Sequence, residues 1–403
     1  MIVSRFLLWA REAPPGHRAE ATAALARAFL YSDLSLEDRR EAETALTAML
    51  DDSSTLVRRA MADALGSAAG APRHLIVALA GDASEVAAIV LGRSPLLRDG
   101  DLVDAAAIGD ERIQSAIAAR PGLSRAVSAA LAEIGTAPAL AILARNLDAD
   151  IPDFSLARMV ERHGEDAELR EALLARPDLP VEIAQAVATA LADALGRFVT
   201  DCGWLSPERS GRVTREARER ATVVLSDRAD DEGAARLVEH LRQAGQLTPA
   251  LILRAILSRG MAFAEAAFAD LSGIAVERVA AILRDERGSA FRSLYARAGM
   301  PLPLRPAFEA SLAAYRETRR GANPSDGAAL SRLMVERALA ACEAFPPEET
   351  GRLVALLRRF EAEAAREEAR KAAAHLADRA ALALILEYAP QVLEDAEDGR
   401  IAA

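Results

Sequence analysis

The sequence of 403 residues contains almost no lysine: of its 49 basic residues, all except Lys371 are arginine. A phosphate-binding loop of the GK[ST] type needs a lysine directly after glycine, so this class of nucleotide site is excluded. A mechanism built on a lysine Schiff base has only Lys371, which lies in a charged helical run.

Cysteines and long apolar runs are also scarce. Cys202 and Cys342 are too few and too far apart in sequence for a disulfide framework or a cysteine metal site, which predicts a protein of the reducing cytoplasm. No run of 18 apolar residues occurs, so no membrane span is predicted. The N-terminal apolar run is interrupted by Arg5 and lacks a signal-peptide core, so we expect an amphipathic helix there.

Aromatic residues make up only 4% of the chain, whereas hydrophobic residues reach 51% and are mostly alanine and leucine. This balance favours close-packed helices over sheets. The formal net charge of −11 gives no general attraction to a phosphate backbone, which argues against a general nucleic-acid binder.

What the first half of the chain does have is an apolar helical motif that returns every 27 to 29 residues. Each copy places an apolar residue just after an acidic turn, and the copies are anchored at Val57, Val86, Ile113 and Leu169, with a degenerate copy near Leu140. Units of this kind cannot bury their apolar face alone and must stack on neighbours. The pattern predicts an all-α fold that starts with a short HEAT-like helical-repeat solenoid.

Local signals define where several helices begin. Ser35 with Asp38 three residues later predicts a capped amphipathic helix, and Ser206-Pro207 and Thr248-Pro249 each place a capping side chain before a proline at the first helical position. The repeat fades after about residue 195, and residues 321–327 are rich in turn formers. We therefore predict a repeat array over residues 1–195, a second α-helical domain over 196–320, and a linker with a C-terminal helical arm over 321–403.

Several short segments together resemble a bacterial family of unknown function, known largely from alphaproteobacteria, whose members look like HEAT-type helical repeat proteins. The segments begin at Trp9, Arg18, Ala24, Leu50, Val57, Ala71, Arg93, Ala118, Gly245 and Arg297. The resemblance covers residues 1 to about 320. It implies an architecture and supplies no activity, substrate or catalytic residue.

No motif of enzyme chemistry is present. The five histidines are scattered without a recognised ligand spacing, and no Gly-x-Ser-x-Gly elbow occurs. The glycine-containing turn Gly66–Gly70 follows a helix and lacks the lysine of a phosphate loop. We therefore predict a protein that is not an enzyme, with no catalytic residues, no cofactor and no metal.

Arginines recur at the ends of the repeat units. Arg93, Arg120 and Arg176 each stand seven residues after an anchor and just before a proline, and the candidate partner-binding residues are Arg58, Arg59, Arg93, Arg120, Arg145 and Arg176. One interpretation is a ridge of guanidinium groups that grips carboxylates or phosphates. The other is that each arginine caps its own helix and packs its stem on the next unit.

The predicted function is a protein–protein interaction scaffold or adaptor, in a regulatory role, because solenoids present extended surfaces to protein or peptide partners. An arginine ridge would favour an acidic partner. The alternative is a nucleic-acid-binding or DNA-repair protein, for which a basic concave groove with an aromatic residue and a carboxylate would be required. Self-association through residues 348–388 is a third option, because Leu353, Leu356, Leu357 and Phe360 form an apolar stripe.

Overall fold

The computed structural model describes residues 2–285, 288–320, 327–343, 351, 353–366, 368–370 and 372–380. Over these residues every regular element is a helix and no strand occurs, which confirms the all-α prediction. The chain divides into two compact units, Met1–Arg218 and Glu219–Ala403.

Unit 1 consists of fourteen helices among its described residues, and the last of them runs on into unit 2. They are α1 (Ile2–Ala10), α2 (Pro15–Tyr31), α3 (Leu36–Met49), α4 (Thr55–Leu65), α5 (Arg73–Ala80), α6 (Ser84–Arg93), α7 (Asp99–Ile108), α8 (Glu111–Ala118), α9 (Arg125–Ile134), α10 (Ala137–Arg145), α11 (Asp153–His163), α12 (Ala167–Leu174), α13 (Val181–Asp201) and α14 (Pro207–Ser226).

Alternate helices of unit 1 pack in two series. In one series α2, α4, α6, α8, α10 and α12 each contact the next, and in the other α7, α9, α11 and α13 do so. One continuous apolar core runs from Ala10 to Val187 between them. Stepwise stacking of this kind is what stacked repeat units require. The superhelical HEAT-like solenoid itself stays a prediction.

The predicted caps are confirmed where the structure describes them. The Ser35 hydroxyl accepts the amide N–H of Asp38 at the start of α3. In the same helix, Ala42, Ala45, Leu46 and Met49 are buried on one face. The local sequence therefore determines both where this helix begins and which face it buries.

Unit 2 contains α15 (Asp231–Gln243), α16 (Pro249–Leu257), α17 (Met261–Ser272), α18 (Val276–Arg284), α19 (Ser289–Arg297), a 3-10 turn (Leu302–Leu304), α20 (Arg305–Arg320) and α21 (Gly327–Glu343), with further helical residues at 353–366 and 372–380. Helix α16 is buried on every side from Leu251 to Leu257. A helix that is buried all round belongs in a core, and α16, whose one charged residue is Arg254, contacts α17, α20 and α21.

The structure and the predicted domain limits differ in two places. Helix α13 runs without a break through the expected boundary at 195/196, because its apolar pattern continues, and the contacts divide within α14 instead. Leu353, Leu357 and Phe360, expected in a separate arm, are buried in unit 2. The predicted linker residues 321–326 lie outside the described residues.

Candidate functional site

Arg58, the first of the candidate arginines, is engaged inside unit 1. Its Nε and Nη2 donate to the two carboxylate oxygens of Asp82 at 2.6 and 2.9 Å, and its Nη1 donates to the backbone carbonyl of Asp52 at 2.5 Å. Arg18 grips Asp52 in the same two-pronged manner, with both distances 2.8 Å. These two-pronged pairs tie the helix of one unit to the turn of the next.

The carboxylates of these pairs have shifted pKa values. Partial burial raises the pKa of Asp82, but hydrogen bonds from Arg58 and from the amide of Ala83 outweigh burial, and the pKa is lowered. Asp52 behaves in the same way, with Arg18 as the main donor against burial, and its pKa is also lowered. Both carboxylates are therefore stabilised in their charged form.

Arg120 and Arg176 are also used internally. Arg120 donates to the carbonyls of Leu91 and Ser94, at 2.6 and 2.8 Å, at the end of α6. Arg176 is buried and donates to the carbonyls of Ala144 and Asn146 at the end of α10. The last carbonyls of a helix have no partner within the helix. Each arginine supplies that partner to the preceding unit rather than to its own helix.

Arg59, Arg93 and Arg145 are exposed. Arg59 and Arg93 both lie beside the carboxylate of Asp63, at 4.0 and 3.7 Å. Arg145 pairs with Glu168 at 2.6 Å on a different pair of helices. The structure thus brings two of the six candidates together, and partner binding by the exposed three stays a prediction.

The ridge interpretation needs a correction at its repeat positions. Arg93 lies inside the last turn of α6 and points to solvent, whereas Arg120 and Arg176 lie two residues beyond their helices and turn inward. The cause is helix length: α6 continues to Arg93, while α8 and α12 end earlier. Equal sequence spacing therefore does not give one row of guanidinium groups, and Arg58, Arg120 and Arg176 could bind a partner only by giving up internal bonds.

A stronger candidate surface lies on the last part of α13, where Leu191, Leu195, Phe198 and Cys202 are all exposed. Their spacing of four, three and four residues places them on one helical face. Leu195 is 55% and Phe198 54% exposed, which is unusual for large apolar side chains spaced in register. We call these four residues, together with Trp204, the α13 stripe.

Trp204 extends the α13 stripe beyond the end of the helix. Its ring is 69% exposed and meets the ring of Phe198 edge to face, with centroids 5.6 Å apart. The turn that carries it is held by the amide of Trp204, which donates to the carbonyl of Val199 at 3.0 Å, and by Gly203 in the left-handed conformation. An exposed tryptophan in contact with a phenylalanine matches the enrichment of aromatic residues at protein–protein interfaces.

The opposite side of α13 explains why the stripe faces outward. Ser210 of α14 donates to the carbonyl of Gly196 at 2.8 Å, and a Cβ on Gly196 would lie 2.4 Å from the hydroxyl of Thr214. The two helices therefore pack through Gly196 at close range. This contact fixes the rotation of α13 and leaves Leu191, Leu195 and Phe198 away from α14.

The sequence did not lead us to the stripe, although its signal is present. In the sequence, a tryptophan beside a leucine in a junction favours a plug between two domains, and the predicted boundary at 195/196 falls within the stripe. The spacing of Leu191, Leu195, Phe198 and Cys202 is typical of a helix that packs against another helix. Whether such a face is buried or exposed depends on the neighbouring helices. The local sequence pattern therefore does not predict its exposure.

Comparison with known protein families gives one match. Residues 86–348 match an uncharacterised protein family conserved in bacteria, DUF2336. The chain belongs to this family. The matched region holds α13, α14 and most of unit 2, and the resemblance to a bacterial family of unknown function is confirmed. No curated protein and no solved structure gave a significant match.

Two kinds of feature are absent from the described residues. No helix there is both long and apolar enough to cross a membrane. No group of three or more histidine, cysteine, aspartate or glutamate side chains in the same residues is placed to hold a metal ion.

Proposed function

We propose that this DUF2336 protein is a non-catalytic scaffold or adaptor of the cytoplasm, and that it binds a partner protein along the α13 stripe. The observation that carries the proposal is the exposed row of Leu191, Leu195 and Phe198, closed by Trp204. Contiguous apolar patches of this kind are rare on monomeric proteins and mark interaction sites.

The stripe favours a particular kind of partner. Positions separated by four, three and four residues present knobs to the side of a second helix, as in a coiled coil. The occupant that fits is an amphipathic helix of another protein, whose apolar face runs along α13 and whose end meets the aromatic pair. Exposed Arg197 lies on the same helix and pairs with Glu165 at 2.6 Å, which gives the rim of the docking surface a polar edge.

The test is capture from the native bacterial lysate with three versions of the full chain: wild type, the double variant Leu195→Glu/Phe198→Glu, and the control Leu174→Glu. Leu174 is a similarly exposed leucine on another helix of unit 1. We expect a discrete partner in near-stoichiometric amount with wild type and with the control, and loss of that partner with the double variant.

Parallel samples treated with nuclease separate this proposal from the nucleic-acid alternative. A partner that survives nuclease supports the proposal, and a partner that is lost with nuclease supports the alternative. If the double variant keeps the partner, or if it lowers the thermal stability of the free protein, the stripe is not a docking surface and the proposal fails. The second result would mean that the stripe packs within the chain.

A further inference from the structure

Unit 2 contains a cavity of about 410 Å³ that plays no part in the proposed docking surface. It lies between the unit 2 end of α14, α16, α21 and the helical residues 353–366 and 368–370. Its apolar wall includes Val223, Leu257, Val335 and Phe360. The volume is within the range of small-molecule sites and far too small for a nucleic-acid duplex.

Among the polar residues that line this cavity, Arg254 is the buried one. Its side chain is only 5% exposed, and it lies 3.7 Å from a carboxylate oxygen of Glu219 and 3.5 Å from one of Glu363. Its guanidinium carbon stands 4.3 Å from the centroid of the Phe360 ring. A charged group is buried only with such compensation, so the cavity wall is built around a fixed guanidinium plane.

Three more arginines stand at the mouth: Arg220, Arg259 and Arg370 line the same cavity and are exposed. Arg220 lies 3.8 Å from Glu363. The carboxylates that line the cavity are Asp227 and Glu363, so four guanidinium groups face two carboxylates. With the carboxylate of Glu219 beside Arg254 counted as well, the cavity has an excess of one positive charge.

Arg259 has an unusual backbone. Its φ is 69°, and among the described residues it is the one non-glycine with φ in the left-handed region. It follows α16 in a turn where the amide of Gly260 donates to the carbonyl of Ala255 at 2.8 Å. At comparable helix ends the chain uses glycine, as at Gly245, Gly273 and Gly299. Glycine would fit this turn without strain, so an arginine here is expected to act through its side chain.

We propose that this cavity binds a small phosphate monoester whose organic part lies on the apolar wall. A phosphate monoester carries close to two negative charges at neutral pH, and a cavity with more arginines than carboxylates attracts an anion. Guanidinium groups donate two parallel hydrogen bonds to phosphate oxygens, and four of them line this one cavity. Val223 and Val335 offer contact for the remainder of the ligand.

The test measures binding of phenyl phosphate to the full chain by calorimetry, with orthophosphate, benzoate and phenol as comparison probes. We expect phenyl phosphate to bind most tightly, orthophosphate and benzoate to bind more weakly, and phenol not to bind. Benzoate binding more tightly than phenyl phosphate would contradict the phosphate assignment. If none of the probes binds, the cavity is not an anion site and the proposal is overturned.

The decisive variant is Arg259→Gly, because it removes the guanidinium and at the same time relieves the backbone. We expect the affinity for phenyl phosphate to fall by about tenfold or more, while the melting temperature of unit 2 stays the same or rises. The control Arg292→Ala removes an exposed arginine of unit 2 that does not line the cavity, and it should leave binding unchanged.

A second variant keeps the result interpretable. If Arg259→Gly lowers the stability of unit 2, the variant Arg220→Gln tests the proposal instead, because Arg220 is exposed on α14. Its loss should weaken phenyl phosphate binding several-fold. Unchanged binding in both variants would show that the mouth arginines do not contact the ligand and would overturn the proposal. None of these measurements depends on the α13 stripe, so the two proposals fail or stand separately.

Discussion

Single arginines in unit 1 serve as connectors between successive helical units. Arg18 and Arg58 each bind a carboxylate in the turn of the next unit. Arg120 and Arg176 donate hydrogen bonds to backbone carbonyls at the end of a preceding helix. The preference for arginine over lysine fits this use, because the planar fork donates in two directions at once. Trp9 and Trp204 both lie in unit 1, so tryptophan fluorescence follows the unfolding of this unit.

The first prediction compares two arginines with the same offset from their repeat anchors. Arg120→Ala leaves the carbonyls of Leu91 and Ser94 without their donor and should destabilise unit 1 by about 1–3 kcal/mol. Arg93→Ala removes an exposed side chain beside Asp63 and should change stability by less than about 0.5 kcal/mol. Urea unfolding followed by tryptophan fluorescence measures both. Equal effects would contradict the structural distinction between the two positions.

The second prediction concerns the stability of unit 1 at low pH. The lowered pKa values of Asp52 and Asp82 mean that the unfolded chain takes up protons more readily than the folded chain near pH 4. The stability that these pairs provide is therefore complete above the unfolded pKa and is lost as pH falls through the folded pKa. The melting temperature of unit 1 should fall between about pH 5 and pH 3. In Arg58→Ala this fall should be smaller, and an unchanged pH profile would contradict the assignment.

At the scale of elements, the local sequence predicts well where helices begin. It predicts poorly how the helices pack against one another. Thr248 caps α16 as predicted, because its hydroxyl accepts the amide of Leu251 within a few residues. The α13 stripe was missed, because its exposure depends on how Gly196 fits against α14. The cavity of unit 2 was missed for a similar reason: Arg220, Arg254 and Arg370 are far apart in sequence and meet only in the folded chain.

The third prediction tests the packing of α13 on α14 with two glycines. Gly196→Val places a side chain against Thr214 and should destabilise unit 1 by about 1–3 kcal/mol through overpacking. Gly211→Ala lies in α14 with open space around its Cβ and should stabilise by about 0.5–1 kcal/mol through helix propensity. The same urea experiment applies. Tolerance of Gly196→Val would mean that α13 and α14 are not held at close range.

At the scale of the whole molecule, the two cysteines report on different units. Cys202 is exposed on the α13 stripe, whereas Cys342 is buried in α21. Burial, with a smaller contribution from the charge of Glu343, raises the pKa of the Cys342 thiol to about 11. A buried thiol with a raised pKa reacts slowly, because the thiolate is the nucleophile.

The fourth prediction uses this difference. In the native protein a disulfide reagent should label Cys202 rapidly, and the variant Cys202→Ser should react only at the rate at which unit 2 opens. Leu357→Ala, which removes a buried side chain of unit 2, should accelerate labelling of Cys342, whereas Leu376→Ala at an exposed position should not. Rapid labelling of Cys342 in the Cys202→Ser protein would contradict the packing of the C-terminal helices on unit 2.

The same packing bears on self-association through residues 348–388. Leu353, Leu357 and Phe360 of the predicted stripe are buried in unit 2 and cannot face a second chain without unfolding. Residues 381–388 lie outside the described residues. Self-association through this segment stays a prediction, and truncation at Gly321 would remove part of the core of unit 2 together with it.

The central claim is that the α13 stripe holds a partner protein, and a photo-reactive amino acid at position 195 tests it most directly. Light-induced crosslinking suits this chain because Lys371 is its sole lysine and amine reagents have little to act on. We predict one dominant protein adduct in the native host with the probe at Leu195, insensitive to nuclease, and none with the probe at Leu174. Equal crosslinking at the two positions, or an adduct that disappears with nuclease, would contradict the account.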